Sequence, residues 1–140
     1  MGVLVDTSVF IRIERGFRGR TDEGLRLVAP DSLLAAVTLA ELHLGVFRAD
    51  DERQRERANT YVRSVEAMFE VVPFGRDEAH AWAAIQDTLR RRGEPIGERD
   101  LQIAATALAG GHSVMTGNIA EFSRVPGLDV LPPPDIPPPR

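Results

Sequence analysis

The chain has 140 residues, a formal net charge of −4 and no cysteine. This length suits one domain with a single core, and the lack of cysteine excludes disulfides and thiolate metal sites. No stretch approaches the roughly 18 apolar residues of a membrane-spanning helix, and the N-terminus lacks a charged start followed by an apolar segment. We therefore expect a soluble, cytoplasmic protein without a membrane partner. The negative charge argues against general affinity for nucleic acids.

Strands and helices are predicted to alternate along the chain. Short apolar runs predict strands at 2–6, 33–37, 70–73 and 113–116, with a possible edge strand at 128–130. Helical spacing and capping residues predict helices at 7–15, 39–48, 50–69, 77–92 and 98–109, with short helical turns at 24–28 and 118–122. This alternation is typical of an α/β fold, with a parallel sheet covered by helices on both faces.

We expect one domain over residues 1–131, followed by a proline-rich tail over 132–140. The tail holds six of the ten prolines. Proline cannot join the interior of a sheet, so we predict that the tail is extended or disordered. We also expect it to be dispensable for folding.

The most informative stretch is the apolar run 3–5 and the residues that follow it. Asp6 stands at the carboxyl end of this strand, which is the edge where open parallel sheets bind ligands. Glu41, Asp100 and Asn118 arrive at equivalent places, just before or just inside a helix. We therefore expect these side chains to meet Asp6 and to hold a metal ion.

Each of these residues also has a purely structural interpretation. Asp6 could cap a helix, Thr38-x-x-Glu41 matches a capping box, and Asp100 could favour a helix dipole. Asn118-x-x-Glu121 also resembles a cap, and we interpret Glu121 as a capping residue. Taken singly, a cap and a functional role are about equally supported.

Taken together, the acidic residues favour a metal site. Asp100 shares the inward face of its helix with apolar residues, and a lone buried carboxylate is costly unless it is paired or binds a cation. The chain has no lysine, and we expect no arginine beside these acids. Oxygen ligands alone indicate Mg²⁺ or Mn²⁺ rather than Zn²⁺, and the three histidines lack metal-ligand spacing.

Four motifs in order resemble those of the PIN-domain ribonucleases, most closely the VapC toxins of bacterial toxin–antitoxin pairs. They are Val5-Asp6-Thr7-Ser8, Ala40-Glu41-Leu42, Pro95-Ile96-Gly97 with Asp100 and Ile103-Ala104-Ala105, and Met115-Thr116-Gly117-Asn118 with Glu121-Phe122. The resemblance covers about residues 2–131. It implies a three-layer PIN-like fold with a central parallel sheet of four to five strands. It further implies a homodimer, an endoribonuclease that depends on Mg²⁺ (with Mn²⁺ as a substitute), an RNA substrate and a small cognate antitoxin.

The resemblance also implies roles for individual residues. Asp6, Glu41 and Asp100 would be the metal-binding and catalytic acids. Asn118 stands where the wider family often has aspartate, so it would contribute weakly, and Ser8 would hydrogen-bond a ligand carboxylate. Four arginines flank the edge after the first strand and are expected to contact RNA phosphates. The alternative is that they form only a solvated surface. They are Arg12, Arg15, Arg18 and Arg20.

Four other interpretations compete with this resemblance. Receiver domains and haloacid-dehalogenase-type phosphatases also place acids around Mg²⁺, but they normally require a lysine that this chain lacks. A DNA-directed flap-type nuclease is the nearest other enzyme, although 140 residues leave little room for its DNA clamp. A non-catalytic PIN-like module that binds RNA or protein stays open because Asn118 carries no charge.

Overall fold

A parallel five-stranded sheet lies at the centre of the computed structural model, which describes residues 2–28 and 30–139. The strands are β1 (Val3–Val5), β2 (Ser32–Ala35), β3 (Glu70–Val72), β4 (Ser113–Met115) and β5 (Val130–Leu131). The helices are α1 (Thr7–Gly16), α2 (Thr21–Leu25), α3 (Ala36–Phe47), α4 (Glu52–Met68), α5 (Arg76–Arg91), α6 (Glu98–Gly110) and α7 (Ile119–Phe122). This confirms the predicted α/β fold.

The sheet divides the core into two clusters because successive strand residues point to opposite faces. Val5 packs in one cluster with α1 and α4 residues such as Ile13 and Val65. Leu4 packs in the other cluster with α5 and α6 residues such as Leu89 and Ile103. All six side chains are fully buried or nearly so. The protein therefore has three layers, with helices on both faces of the sheet.

The strand order β3-β2-β1-β4-β5 places β1 in the middle of the sheet. The chain runs outward from β1 to β2 and β3, and later returns to place β4 on the other side of β1. The carboxyl ends of β1 and β4 therefore flank the point where the strand order reverses, which is where open α/β sheets form ligand crevices. Asp6 follows β1 at this point, and Thr116 follows β4.

The third helix begins earlier than the sequence predicts. We expected the second strand to extend to residue 37 and Thr38 to start the helix, but β2 ends at Ala35 and α3 begins at Ala36. Ala35 is the N-cap, so Thr38 occupies the third helical position and cannot form a capping box with Glu41. The capping interpretation of Glu41 is wrong.

Residues 132–139 contain no helix or strand. They nevertheless contact the domain, because Ile136 is partly buried against the core cluster that contains Phe10 and Ile13. A side chain at Gly16 would collide with the Pro137 carbonyl oxygen and with Ile136. This packing argues against our expectation that the tail is dispensable for folding. Among the described residues, no helix is both long and apolar enough to cross a membrane.

Candidate active site

The Asp6 carboxylate is held rigidly at the end of β1. Its side chain is 4% exposed, and its Oδ2 atom accepts hydrogen bonds of 2.7 Å from both the Ser8 and the Thr116 hydroxyls. Its backbone N–H donates to the Met115 carbonyl at 2.9 Å. Asp6 occupies the N-cap position of α1, but its side chain makes no capping hydrogen bond. Hydrogen bonds from the described residues therefore fix Oδ2 and leave Oδ1 available to a ligand.

Asn118 connects two further acids to the same edge. Its Nδ2 atom donates to Asp100 Oδ2 at 3.3 Å and to Glu121 Oε2 at 2.7 Å. The other oxygen of Glu121 accepts from the Gly97 backbone N–H at 2.8 Å, and Gly97 is the N-cap residue of α6. Glu121 therefore caps the neighbouring helix that carries Asp100, a role that its own local sequence does not reveal.

The charges at this edge shift two pKa values in opposite directions. Burial, and then the negative charges of Asp6 and Glu121, raise the pKa of Asp100 from 3.8 to about 6. Hydrogen bonds from Gly97 and Asn118 lower the pKa of Glu121. At neutral pH, Asp100 is therefore an ionised carboxylate held among other carboxylates, and a bound cation would relieve the repulsion.

Glu41 reaches the site from α3 and has partners on both oxygens. Oε1 accepts a 2.8 Å hydrogen bond from the Thr7 hydroxyl, which lies 3.1 Å from the Thr38 hydroxyl. Oε2 forms an ion pair with the Arg99 guanidinium. The expectation that no arginine lies beside these acids is wrong. Arg99 directly precedes Asp100 on α6, and no sequence pattern marks it as a partner for a residue on another helix.

The predicted site residues lie close together but are not arranged as a finished metal cage. Within residues 2–28 and 30–139, no group of three or more acidic or histidine side chains is positioned to hold an ion. Asp6, Asp100, Asn118 and Glu121 gather where β1 and β4 end, while Glu41 turns toward Thr7 and Arg99. Two histidines have other partners, since His43 contacts Glu66 and His112 accepts from the Gly2 N–H.

The four predicted RNA-contacting arginines are exposed but differently placed. Arg12 lies against Gly117, where an added Cβ would come 2.9 Å from the Arg12 Nη2 atom, so it borders the acidic edge. Arg20 forms an ion pair of 3.2 Å with Glu23 and lies over the Phe17 ring. The charges of Arg15 and Arg18 act on Glu14, which lies on α1. Arg12 therefore borders the site, whereas the recorded neighbours of the other three are Glu23, Phe17 and Glu14.

Comparison with known proteins identifies the family. The model of the PIN domain matches residues 3–128. Ribonuclease VapC from Rickettsia bellii is 36% identical over 131 residues, covering 94% of this chain and 96% of that protein. The chain belongs to the VapC family of PIN-domain ribonucleases. This confirms the family and the fold that the four motifs indicate.

Solved structures of VapC-family assemblies have the same fold. A DNA-bound VapBC from Salmonella typhimurium contains a chain that is 27% identical to this one with a TM-score of 0.82, covering 94% of this chain and 98% of that one. VapBC-5 from Mycobacterium tuberculosis, a member of the VapBC family of toxin–antitoxin systems, contains a chain that is 31% identical with a TM-score of 0.72, covering 96% and 98%. The relative from Rickettsia bellii is itself named a ribonuclease.

Proposed function

We propose that this protein is the toxin of a toxin–antitoxin pair, an endoribonuclease that uses Mg²⁺, or Mn²⁺ in its place, to hydrolyse RNA phosphodiester bonds. The proposal rests chiefly on one observation. In a chain of the VapC family, the fixed carboxylate of Asp6 lies beside Asp100 where the strand order reverses. Repulsion between these two acids is the condition that a divalent cation relieves.

The donor set at this edge fits a hard divalent cation. The side chains are carboxylates and one amide, so every available donor is oxygen, and such sets suit Mg²⁺ or Mn²⁺. In our proposal Asp6 and Asp100 hold the ion, and Glu41 completes its surroundings. A bound ion would polarise a phosphate oxygen and make its water a stronger nucleophile.

The residues of the chain then divide the remaining tasks. Ser8 and Thr116 fix the orientation of Asp6, and the Asn118 amide orients Asp100. Glu41 is the candidate to accept the proton of the attacking water, because it is held by Thr7, the residue that directly follows Asp6. Arg12, beside Gly117, is placed to contact an RNA phosphate.

We further propose a small antitoxin partner, a homodimer and a cytoplasmic location, with residues 1–131 as the functional domain. The toxin–antitoxin assembly named for the M. tuberculosis relative supports the antitoxin. Exposed apolar side chains on α3 support protein contacts, since Phe47 is 78% exposed and Leu44 is 44% exposed. Expression of the chain alone should arrest growth, and coexpression of the adjacent small reading frame should restore it. Unimpaired growth together with strong RNA cleavage in vitro would contradict the toxin role.

A matched pair of variants tests the catalytic role. Asp6→Asn removes the charge of the proposed metal ligand and keeps its shape, whereas Asp129→Asn makes the same change before β5, at the opposite edge of the sheet. We expect Asp6→Asn to reduce Mg²⁺-dependent RNA cleavage by at least about 100-fold and Asp129→Asn to stay within about twofold of wild type. A folded Asp6→Asn variant with wild-type cleavage would overturn the proposed function.

A further inference from the structure

Glu41 has no free oxygen in the structure, because Thr7 binds one atom and Arg99 binds the other. The two sides of the ion pair are unequally anchored. The Glu41 side chain is 15% exposed and lies against Thr7, while the Arg99 side chain is 70% exposed. The glutamate is therefore the fixed partner and the arginine is the partner that can move.

Arg99 and a divalent cation would compete for the same oxygen atom of Glu41. Oε2 is engaged by the guanidinium, and two positive groups within a few ångströms repel each other. Solvent screens the exposed guanidinium of Arg99, which weakens its attraction to Glu41, so a divalent cation can displace it. Arg99 thus neutralises Glu41 without closing the site permanently.

We propose that Arg99 holds Glu41 in the resting site, releases it to the divalent cation, and then contacts an RNA phosphate. This inference rests on the proposed metal dependence. The local sequence supports the second step. Arg99 directly precedes Asp100 near the start of α6, so its long side chain is anchored beside the acidic edge. Arginine is well suited to bidentate phosphate contacts.

Calorimetric titration with Mg²⁺ at constant ionic strength tests the first step. Arg99→Gln should lower the Mg²⁺ Kd about fivefold, because the cation no longer competes with the guanidinium for Glu41. Arg124→Gln is the matched control, because Arg124 acts on Glu121 by charge but donates to the Pro95 carbonyl instead of an acid. It should change Kd less than twofold. Equal effects of the two variants would overturn the inference.

A double-mutant cycle isolates the role of Glu41. In a Glu41→Gln background there is no carboxylate at position 41 for Arg99 to pair with. The gain in Mg²⁺ affinity from Arg99→Gln should therefore shrink to the gain from Arg124→Gln. A fivefold gain in Mg²⁺ affinity in that background would mean that Arg99 acts by general repulsion of the cation. This result would contradict the proposed release of Glu41. Arg99 is exposed, so Arg99→Gln should melt close to wild type in EDTA, and this confirms that the variant is folded.

Kinetics at saturating Mg²⁺ test the second step. Loss of a phosphate contact should raise the KM for RNA about fivefold and leave kcat within about twofold. An unchanged KM would overturn the phosphate contact. The proposed function fails on a separate result. It is overturned if wild type binds no Mg²⁺, or if Asp6→Asn binds Mg²⁺ as tightly as wild type does. If wild type binds Mg²⁺ through Asp6 but Arg99→Gln changes the Mg²⁺ Kd no more than Arg124→Gln does, then only the proposed release of Glu41 by Arg99 is wrong.

Discussion

The Thr116 hydroxyl donates a 2.7 Å hydrogen bond to the Oδ2 atom of Asp6 across 110 positions of sequence. The same Thr116 oxygen accepts from the backbone N–H of Asn118 at 2.9 Å. This one buried hydroxyl therefore links the carboxylate after β1 to the loop after β4 that carries Asn118. The orientation of both groups depends on the pairing of these two strands.

Thr116→Val should impair catalysis more than it impairs folding. The change keeps the shape of the side chain but removes the hydrogen bond that orients Asp6, and the loss of such a support typically costs 10–100-fold in activity or metal affinity. Thr106→Val is the control, because Thr106 is equally buried and its hydroxyl donates to the Gln102 carbonyl within α6. Each variant should lose roughly 1 kcal/mol of stability. Equal cleavage rates in both variants would contradict the orienting role of Thr116.

Asp100 predicts a pH-dependent stability for the metal-free protein. The folded state binds the Asp100 proton more tightly than the unfolded chain does, because the pKa rises from 3.8 to about 6 on folding. This group therefore makes stability fall as the pH rises through these values, and the loss is complete at about pH 7. Asp100→Asn should remove this fall and stabilise the metal-free protein at pH 7, by on the order of 1 kcal/mol after allowance for solvent screening.

The measurement for Asp100 is chemical unfolding in EDTA from pH 4 to pH 8, with Asp129→Asn as the control. The difference in unfolding free energy between Asp100→Asn and wild type should grow as the pH rises to about 7 and then level off. A difference that stays constant over this range would show that the ionisation of Asp100 does not oppose folding.

Asn118→Asp should have opposite effects with and without metal. The Asn118 amide donates to Asp100 and Glu121, so aspartate at this position would replace a donor between two acids with a third negative charge. The variant should melt lower than wild type in EDTA and gain more than wild type from saturating Mg²⁺. Asn118→Ala loses the donor without adding charge and serves as the control. If Mg²⁺ stabilises Asn118→Asp no more than it stabilises wild type, residue 118 does not lie next to the bound metal.

The tail should contribute to stability through Ile136. Deletion of 133–140 removes a partly buried side chain from the core cluster that includes Phe10, and we expect a loss of about 1 kcal/mol, or a few degrees in Tm. Deletion of 138–140 alone should have little effect, because Pro138 and Pro139 are exposed. The two truncations compared by thermal melting test this. Equal melting points would restore the view that the tail is dispensable.

Much of the fold, and the positions of Asp6 and Asp100 in the site, follow from local sequence. An apolar run ended by Asp6 predicts a buried strand with an acid at the ligand-binding edge, and the inward face of α6 predicts where Asp100 points. The partners of Glu41 do not follow, because Arg99 is an exposed arginine on another helix and has no periodic signal. The hydrogen bond from Gly97 to Glu121 also depends on how α6 and α7 pack, which spacing along the chain does not encode.

The boundary of α3 shows why a short motif can mislead. Thr38-x-x-Glu41 has the residues of a capping box, yet the helix begins at Ala36 and both side chains instead contact Thr7. The apolar residues Ala36 and Val37 suit a strand as well as a helix, so the sequence alone does not locate the transition.

RNA cleavage measured in Mg²⁺, in excess EDTA, and after Mg²⁺ is restored tests the central claim that this acidic edge works through a divalent cation. We expect rapid cleavage in Mg²⁺, none above background in EDTA, and full recovery when Mg²⁺ is added back. Asp6→Asn should stay inactive under all three conditions. Wild-type cleavage that continues unchanged in excess EDTA would contradict the account.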